Sequence, residues 1–454
     1  MLQIASSRRF RTCEGSTRRD FIRAGSLGLA GLTLGGLLRE RAAAAAEIPR
    51  DTSVIWLWLG GGPSQFETFD PKMDAPVEFR SVTGEVATSL PGITFGGTFP
   101  KLAARAHRIA VLRNFAHANS GHGGGTHLMN TGKVFTGFDN NQPQIAPSFG
   151  SAVAFRRGLS HPTSGMPTYV KLGGAVRADR PAYLGNAYAP FDPTGSIENM
   201  VLGTTLDRFE DRRQLLNRFD TLRREIDAAG LMGAMSQYDR QAVQVLTGQV
   251  AKAFDLSKED PRVVSRYGDE VSPSKQTKLG ESLLIARRLC EAGCGVVNIG
   301  YGGWDHHNVN GTPAVKEGFE SYAPPLDHAL SAFIDDIYDR GLDRNILLVA
   351  CGEFGRTPRI SVGRQAGGRD HWAPLTPLLM IGGGLKMGQV IGRSTPKGEE
   401  PAADPYGPGD MFATIFHVLG IPLRFDLSIA TKMGNRPVVE NSYHIDGSPI
   451  RELI

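Results

Sequence analysis

Six continuous apolar runs divide the chain and predict the strands of a buried sheet. Runs without polar alternation are typical of strands that are covered on both faces, as in a parallel sheet. The predicted strands are residues 54–59, 109–112, 168–172, 295–299, 345–351 and 378–381. A sheet of this kind needs a covering layer on each side.

Amphipathic segments lie between several of these runs. Residues 282–292 precede the fourth strand, and residues 326–338 precede the fifth, with Leu326, Leu330 and Phe333 at helical spacing. Alternating helices and strands predict an α/β fold with a mostly parallel sheet and helices on both sides. Residues 205–280 are charged and helical in pattern, which indicates a helical insertion or cap within a domain that spans residues 47–454.

The first 46 residues have the pattern of an export signal. Arg18 and Arg19 form a twin-arginine pattern, an apolar Gly/Leu-rich run follows, and a poly-Ala stretch ends at Ala46. The apolar run of about 15 residues is shorter than the roughly 20 that a membrane span needs. We therefore expect export by the twin-arginine route, cleavage after Ala46, a periplasmic or extracellular location, and no stable membrane span after cleavage.

Charge and cysteine content exclude several function classes. The chain carries 50 basic and 46 acidic side chains, but the first 46 residues hold eight arginines and three acids, which leaves 42 basic and 43 acidic residues. This balance gives no argument for a nucleic-acid partner. Beyond the predicted signal, which contains Cys13, three cysteines remain: Cys290, Cys294 and Cys351. This odd number predicts buried thiols rather than a disulfide framework. The motifs of P-loop, dinucleotide-binding, α/β-hydrolase and zincin proteins do not occur.

Polar clusters follow the predicted strands, at the sheet edge where open α/β folds bind ligands. The first, in residues 60–72, offers Ser64 and Glu67 for an anion or a metal. The second, in residues 117–132, sets His122 and Thr126 among glycines, where free backbone amides at a helix start bind anions and imidazole binds metals.

Two further clusters provide carboxylate, imidazole and guanidinium groups. Asp305 and His307, or His306, follow the strand at 295–299 with the spacing of a chelating pair. The last cluster lies in residues 352–358 and 367–372. It offers metal ligands and a possible bidentate grip on phosphate, sulfate or carboxylate. The members of the last cluster are Glu353, Asp370, His371, Arg356 and Arg369.

Two tryptophans flank these groups. Trp304 and Trp372 could stack on a sugar ring or could belong to the packing. Mixed oxygen and nitrogen ligands predict a divalent metal cofactor such as Zn, Mn, Fe or Ca rather than a thiolate site.

The motifs resemble those of a known bacterial family. The twin-arginine start and the segments "GGGPSQFETFDPK", "HANSGHGGGTHLMNTG", "GGWDHH", "CGEFGRTPR", "GGRDHW", "MIGGGLKMGQVIG" and "DMFATIFHVLG" occur in the family's order over residues 50–425. The chain is identified as a member of the sulfatase-like domain-of-unknown-function family 1501. The resemblance implies an alkaline phosphatase-like fold, a three-layer α/β/α sandwich, with metal ions and ester hydrolysis at phosphorus or sulfur.

The resemblance also suggests roles for individual residues. Asp305, His307 (or His306) and His371 match one metal half-site of the superfamily in type and order. The half-site next to the nucleophile is rewritten: Gly61 stands where the first strand would end in a metal-binding Asp, and Glu67 or Ser64 could substitute. No Cys-x-Pro-x-Arg occurs, so a formylglycine sulfatase mechanism is excluded.

Two mechanisms remain open. A single metal could activate a water with Glu353 or His122 as base and the arginines holding the anion. Alternatively His122 could be a nucleophile, and Thr126 or Ser120 is close enough in sequence to serve instead.

The sequence thus predicts an exported metal-dependent hydrolase that acts on a small-molecule or glycan ester of phosphate or sulfate. The alternative is a non-catalytic relative that binds glycans, sulfated polymers or a surface partner through the same cleft.

Overall fold

In the part of the chain that the structure describes, seven strands form one sheet, and six of them are those predicted from the apolar runs. The computed structural model describes residues 51–174, 176–193, 250–268, 278–363, 366–427 and 442–454. The predicted signal peptide (residues 1–46), and residues 205–249 and 269–277 of the predicted insertion, lie outside the described residues. The described residues belong to one unit, Pro49–Ile454.

The strands differ from their predicted bounds by one or two residues at most. In chain order they are β1 (Ser53–Trp58), β2 (Glu85–Ala87), β3 (Thr94–Gly96), β4 (Ala110–Leu112), β5 (Tyr169–Gly173), β6 (Val296–Gly300), β7 (Ile346–Cys351), β8 (Gly355–Arg356), β9 (His371–Trp372), β10 (Leu378–Gly382), β11 (Gln389–Ile391), β12 (Arg424–Asp426) and β13 (Ser442–His444).

The helices lie between and after these strands. The α-helices are α1 (Gln65–Thr68), α2 (Pro100–Ala103), α3 (His122–Thr131), α4 (Phe149–Arg157), α5 (Val250–Phe254), α6 (Pro261–Tyr267), α7 (Leu279–Glu291), α8 (Val315–Asp339) and α9 (Pro408–Leu419). Short 3-10 helices span Ala106–Arg108, Thr136–Asn140, Ala182–Leu184, Asn186–Tyr188 and Leu256–Lys258. Among the described residues, no helix is long and apolar enough to cross a membrane.

The central sheet has the order β11-β4-β10-β7-β1-β6-β5. β1 pairs in parallel with β6 and β7, β5 with β6, and β11 with β4. Only β10 runs antiparallel to its neighbours in this sheet, β4 and β7. The predicted α/β fold with a mostly parallel sheet is confirmed.

Helices cover both faces of the sheet. On one face, Ile55 and Leu57 of β1 share a core with Leu283 of α7 and Phe333 of α8. On the other face, the Trp56 ring lies 5.0 Å from that of Phe149 in α4 and 6.2 Å from that of Phe412 in α9. Every residue of β1 is buried, so the continuous apolar run follows from burial on both faces.

Helix α8 begins eleven residues before the predicted start because it continues through Pro324 and Pro325. A proline inside a helix costs about 3 kcal/mol, since it removes a hydrogen bond and crowds the preceding turn. Burial of Phe319 and Leu326 on either side of the prolines contributes about 1.5–3 kcal/mol per side chain and offsets that cost.

The described part of the predicted insertion is helical. Helices α5 and α6 pack against α7, and α6 also contacts α8. Arg287 of α7, itself buried, links this segment to α8 through ion pairs with Glu259 (2.7 Å) and Asp336 (3.0 Å).

The antiparallel direction of β10 brings the segment before it to the sheet edge at which β1, β4, β6 and β7 end. The carboxyl ends of parallel strands meet at one edge, and Trp58 of β1 pairs with Cys351 of β7 there. Because β10 is antiparallel, its first residue, Leu378, pairs with Cys351 and with Leu112 of β4. The segment before β10 therefore meets the segments that follow β1, β4, β6 and β7.

Candidate metal centre

His122 is the first residue of α3. The preceding Gly121 is the N-cap, and the N–H groups of Gly123 and Gly124 donate to Asp139 Oδ1 at 2.7 and 3.0 Å. The carboxylate of Asp139 therefore occupies the helix start for which the sequence predicted an external anion.

Three further candidate ligands, Asp305, His307 and His371, come from loops at the same edge of the sheet. Asp305 and His307 follow β6, and His371 begins β9, opposite Arg356 of β8. A positive φ of 110° at Gly303 turns the chain after β6. An added Cβ there would lie 2.4 Å from the Tyr322 ring, so the turn requires glycine.

Four donor atoms converge in this centre. Among the described residues, potential ligand atoms of His122, Asp305, His307 and His371 all lie within 4.8 Å of one another. Asp305 Oδ1 is 2.7 Å from His307 Nε2 and 3.2 Å from His371 Nε2, and Asp305 Oδ2 is 3.3 Å from His122 Nε2. The two Nε2 atoms of His307 and His371 are 2.9 Å apart.

The opposite ring nitrogen of each histidine faces an oxygen acceptor. His122 Nδ1 lies 2.7 Å from Glu353 Oε1, and His371 Nδ1 lies 3.0 Å from the Ser120 carbonyl. His307 Nδ1 is 3.5 Å from Asp370 Oδ1. When Nδ1 of each ring carries the proton, the Nε2 lone pairs are available to an ion in the centre, as in carboxylate–histidine–metal arrangements. Without an ion, an Nε2–H group can instead donate to Asp305.

The centre has the donor spacing of a metal site. Zn–N distances of about 2.0–2.1 Å in a tetrahedron place neighbouring ligand atoms roughly 3.4 Å apart. Four of the contacts, at 2.7 to 3.3 Å, are shorter than this edge length, and ligand atoms of all four residues lie within 4.8 Å of one another. Lone pairs of three imidazoles and one carboxylate repel one another unless a proton or a cation lies between them, so these residues fit a divalent ion.

Electrostatics favour a charged carboxylate and a charged imidazole when no ion is bound. Partial burial acts to raise the pKa of Asp305, but hydrogen bonds from His122, His307 and His371 hold it well below its ordinary value. Burial likewise acts to lower the pKa of His122, yet its bonds to Asp305 and Glu353 raise that pKa to about 9.

His306 does not take part, which decides between the two histidines left open by the sequence. Its ring is 1% exposed and lies among Trp304, Phe319 and Tyr322. Burial, with the nearby charge of Arg356, lowers the pKa of His306 to about 3. It is a neutral core side chain.

Glu353 lies beside the centre and is already bound. Both carboxylate oxygens are 3.0 Å from the Gly61 N–H, and Oε1 also meets His122 Nδ1. The side chain is 4% exposed. A base that removes a proton from a substrate needs access, so this burial does not support Glu353 as the predicted base. His122, the other predicted base or nucleophile, is partly exposed, but its Nε2 lies 3.3 Å from Asp305 Oδ2.

Arg356 was predicted to bind an anion, but its guanidinium forms hydrogen bonds inside the protein. Its Nη2 donates to Asp305 Oδ1 at 2.7 Å, and its Nε donates to the Gly62 carbonyl at 2.8 Å. It also bonds the carbonyls of Gly61, Trp304 and Arg369 and lies 3.3 Å from His307 Nε2. Its side chain is 1% exposed. The guanidinium is committed to the loops that carry the ligands.

Arg369 and Glu67 form a buried ion pair away from the metal ligands. Arg369 Nη2 lies 3.4 Å from Glu67 Oε1, and both side chains are fully buried. Arg369 also donates to the carbonyls of Arg80, Thr357 and Pro358. The structure therefore gives neither residue the predicted ligand-binding surroundings, because burial and internal partners occupy both.

The remaining predicted site residues have mixed positions. Asp370 is exposed and touches the ligand His307 rather than joining the four donors. Ser64 is buried as the N-cap of α1, and Thr126 is buried within α3. Trp304 is fully buried with its Nε1 on the Tyr301 carbonyl, so it is a packing residue. Trp372 is half-buried and donates to the Glu399 carbonyl at 2.7 Å.

Two contacts of the centre were not predicted from the sequence. The Phe354 ring stacks on His371, with centroids 4.1 Å apart and planes at 28°, and lies 5.2 Å from His122. The Ser120 carbonyl orients His371. A phenylalanine between Glu353 and Gly355 was visible in the sequence, but backbone carbonyl partners carry no sequence signal.

Solved structures to which the chain is similar include three hydrolases. The PsFucS1 sulfatase from Pseudoalteromonas sp. is 12% identical, with 85% of this chain and 70% of that chain covered and a TM-score of 0.37. The alkaline phosphatase from the Antarctic bacterium TAB5 is 12% identical, with 82% of this chain and 99% of that chain covered and a TM-score of 0.33. The phosphonate monoester hydrolase SpPMH from Silicibacter pomeroyi is 11% identical, with 82% of this chain and 74% of that chain covered and a TM-score of 0.33.

No curated protein matches the sequence. A family model described as "Protein of unknown function (DUF1501)" matches residues 51–445, which include the four donor residues and every strand and helix of the sheet layers. The chain belongs to this family.

Proposed function

We propose that the protein is a metal-dependent hydrolase of phosphate or sulfate esters, with one divalent ion held by His122, Asp305, His307 and His371. The observation that carries the proposal is the convergence of three Nε2 atoms and a carboxylate at the ligand-binding edge of the sheet. The Nδ1 atoms of His122 and His371 lie at hydrogen-bond distance from an oxygen, as in a prepared metal site, and His307 Nδ1 is 3.5 Å from Asp370 Oδ1.

The donor set narrows the choice of ion. Three imidazole nitrogens with one carboxylate suit Zn, Fe or Mn, whereas Ca prefers a shell of oxygen ligands. When bound, the ion supplies Lewis acidity toward an ester oxygen and lowers the pKa of water. The side chains of His122 and Asp305 remain 39% and 32% exposed, so a small anionic group can reach the centre from solvent.

The chain's own residues prepare the centre. Glu353 and the Ser120 carbonyl fix the direction of the His122 and His371 rings, and Asp370 lies near His307. Arg356 neutralises part of the charge on Asp305 and ties its loop to the glycines after β1. The His371 ring is supported by Phe354. We assign His122 to the ligands rather than to the nucleophile.

The ester class rests on the sequence motifs, which resemble those of the sulfatase-like family. Ester hydrolysis at phosphorus or sulfur places developing negative charge on non-bridging oxygens. An exposed divalent centre beside a buried guanidinium is suited to that charge.

One observation favours the alternative of a non-catalytic binding protein. The groups predicted to hold or attack the anion are engaged inside the protein: Arg369 with Glu67, the α3 amides with Asp139, and Glu353 with Gly61 and His122. A centre without a free base or nucleophile could bind a sulfated or phosphorylated glycan and release it unchanged.

A turnover screen separates the two functions. Residues 47–454 are assayed on an aryl phosphate, an aryl sulfate and a phosphodiester with Zn, Mn or Fe(II). We expect turnover in the wild type and in His417→Ala, whose histidine is exposed on α9. In Asp305→Ala the loss should exceed the roughly 10–100-fold that an outer-sphere change costs. Metal-loaded wild type that turns over none of the three substrate classes would contradict the hydrolase and favour the binding protein.

We propose further that residues 1–46 direct export by the twin-arginine route to the periplasm or beyond. The support is the Arg18-Arg19 pair followed by an apolar run and a poly-Ala stretch. Residues 1–50 fused to a reporter should reach the periplasm, and Arg18→Lys with Arg19→Lys should retain the reporter in the cytoplasm. Export that is insensitive to the double lysine change would contradict this route.

A further inference from the structure

Glu353 joins two loops of the candidate centre through one carboxylate. It lies in the turn between β7 and β8, and its oxygens accept from the Gly61 N–H in the loop after β1. Oε1 also accepts from His122 Nδ1 at 2.7 Å, the shortest contact of this ring. The contact with His122 uses Nδ1, whereas His122 faces Asp305 Oδ2 through Nε2.

Glu353 is not one of the four donors. Among the described residues, the ligand atoms within 4.8 Å of one another come from His122, Asp305, His307 and His371, and not from Glu353. Rotation of the carboxylate toward them would leave the Gly61 N–H and His122 Nδ1 without this acceptor. A buried polar group that loses its partner destabilises the folded protein.

The backbone on both sides of Glu353 is fixed by close packing. A Cβ on Gly352 would lie 2.7 Å from the Leu59 carbonyl, and one on Gly125 of α3 would lie 3.0 Å from the Glu353 carbonyl. The register of β1 and β7, with Trp58 opposite Cys351, carries this packing into the sheet. The backbone that carries the Glu353 side chain is therefore held in place by the sheet.

We propose that Glu353 is a positioning residue for His122: it fixes the Nδ1–H tautomer and the ring direction, and it is neither a metal ligand nor a general base. This inference rests on the proposed metal centre. A hydrogen bond from a ligating imidazole to a carboxylate also raises the donor strength of the other nitrogen. The expected contribution is about 10–100-fold in metal affinity.

Cobalt(II) binding tests the assignment without any substrate. Affinity is measured by competition with a chromophoric chelator, and coordination by the visible absorption spectrum. Glu353→Gln keeps an oxygen acceptor for His122 Nδ1, so we expect an unchanged band shape and most of the affinity. Glu353→Ala removes the acceptor, and we expect about 10–100-fold weaker binding.

A double-mutant cycle assigns the effect to His122. Once His122 is replaced by Ala, the additional change Glu353→Ala should cost no further affinity, because the acceptor has nothing left to orient. Asp327→Asn is the matched control: Asp327 is 3% exposed and accepts two backbone N–H groups at α2. It should alter stability and leave cobalt affinity unchanged.

Three results would overturn the inference. A changed band shape in Glu353→Gln would make Glu353 a ligand. Additive losses in the cycle would separate it from His122. Full cobalt affinity in Glu353→Ala together with lost turnover would make it a base. A wild type that binds cobalt but has no turnover would contradict only the hydrolase, and these binding results would still decide the role of Glu353.

Discussion

The Nε2 atoms of His307 and His371 lie 2.9 Å apart, although the Nδ1 atom of each ring faces an oxygen. Two neutral imidazoles in these tautomers direct lone pairs at each other. Asp305 Oδ1 lies within 3.2 Å of both atoms. This arrangement of the four donor atoms is favourable only when a proton or a cation lies between them.

Metal binding should raise the stability of the protein in a way that depends on these donors. An ion that binds only the folded state at 100 times its Kd contributes about 2.7 kcal/mol. We expect added Zn to raise the Tm of wild type and of His417→Ala, and to leave the Tm of His307→Ala unchanged. Thermal denaturation with and without chelator measures this, and an equal zinc-dependent shift in His307→Ala would be evidence against the site.

The stability of the metal-free protein should depend on the charge of His122. Its pKa in the folded protein is raised to about 9, above the ordinary value of about 6.5. The contribution of a group with a raised pKa is fully present below pH 6.5 and is lost as the pH rises through about 9. In chelator, the Tm of wild type should therefore fall over this range more than that of His122→Ala. Parallel curves for the two proteins would show that His122 carries no such charge.

Gly61 should tolerate no side chain. Its φ is 109°, and an added Cβ would lie 2.6 Å from Asp305 N and 2.8 Å from Trp304 N. Gly61→Ala should displace the loop that carries Asp305 and weaken both zinc binding and stability. Gly92→Ala is the control, because Gly92 also has a positive φ of 76° but its Cβ would meet no atom within 4 Å. It should cost only the backbone strain of about 1–3 kcal/mol. Equal effects of the two changes on zinc affinity would contradict the account.

Asp139 should stabilise the helix that begins with His122. Its Oδ1 accepts from Gly123 and Gly124, and loss of such a cap costs about 1 kcal/mol. Urea denaturation should show this loss in Asp139→Ala and little of it in Asp139→Asn, which retains an oxygen acceptor. If phosphate binding rose sharply in Asp139→Ala, the helix start would be an anion site that Asp139 blocks.

Removal of Arg369 should affect folding rather than ligand binding. Breaking a buried ion pair leaves an uncompensated charge and costs about 3–5 kcal/mol. Arg369→Met should lower the free energy of unfolding by about that amount, while zinc affinity of the folded fraction stays at the wild-type value. A stable Arg369→Met protein with weakened anion binding would restore the role predicted from sequence.

The sequence predicted most of the sheet because burial on both faces leaves a continuous apolar run. It did not predict β11, an edge strand whose Gln389 and Val390 are only partly buried, so that no continuous apolar run marks it. It also did not predict the direction of β10, which an apolar run does not encode. Helix α8 was predicted to start too late because two prolines interrupt the pattern and tertiary burial overrides them. The convergence of the clusters that follow β1, β4, β6 and β7 was predictable from the strand ends, whereas the position of His371 depends on the direction of β10.

Roles within the clusters were harder to predict because residue type does not reveal burial. Asp305, His307 and His371 were expected together, and they lie together. His122 was expected as a base or nucleophile but lies among the donors. Arg369 and Glu67 were expected at the ligand, yet their charges face each other inside the protein. Charged side chains satisfy one another when no solvent is near, and only coordinates show which ones do.

The most direct test of the central claim is elemental analysis of residues 47–454, purified from an export-competent host without chelator or added metal. We expect about one equivalent of Zn, Fe or Mn in the wild type, and none in a folded Asp305→Ala/His371→Ala double variant. No metal in the wild type and none taken up on reconstitution, or equal metal content in the double variant, would contradict the central claim.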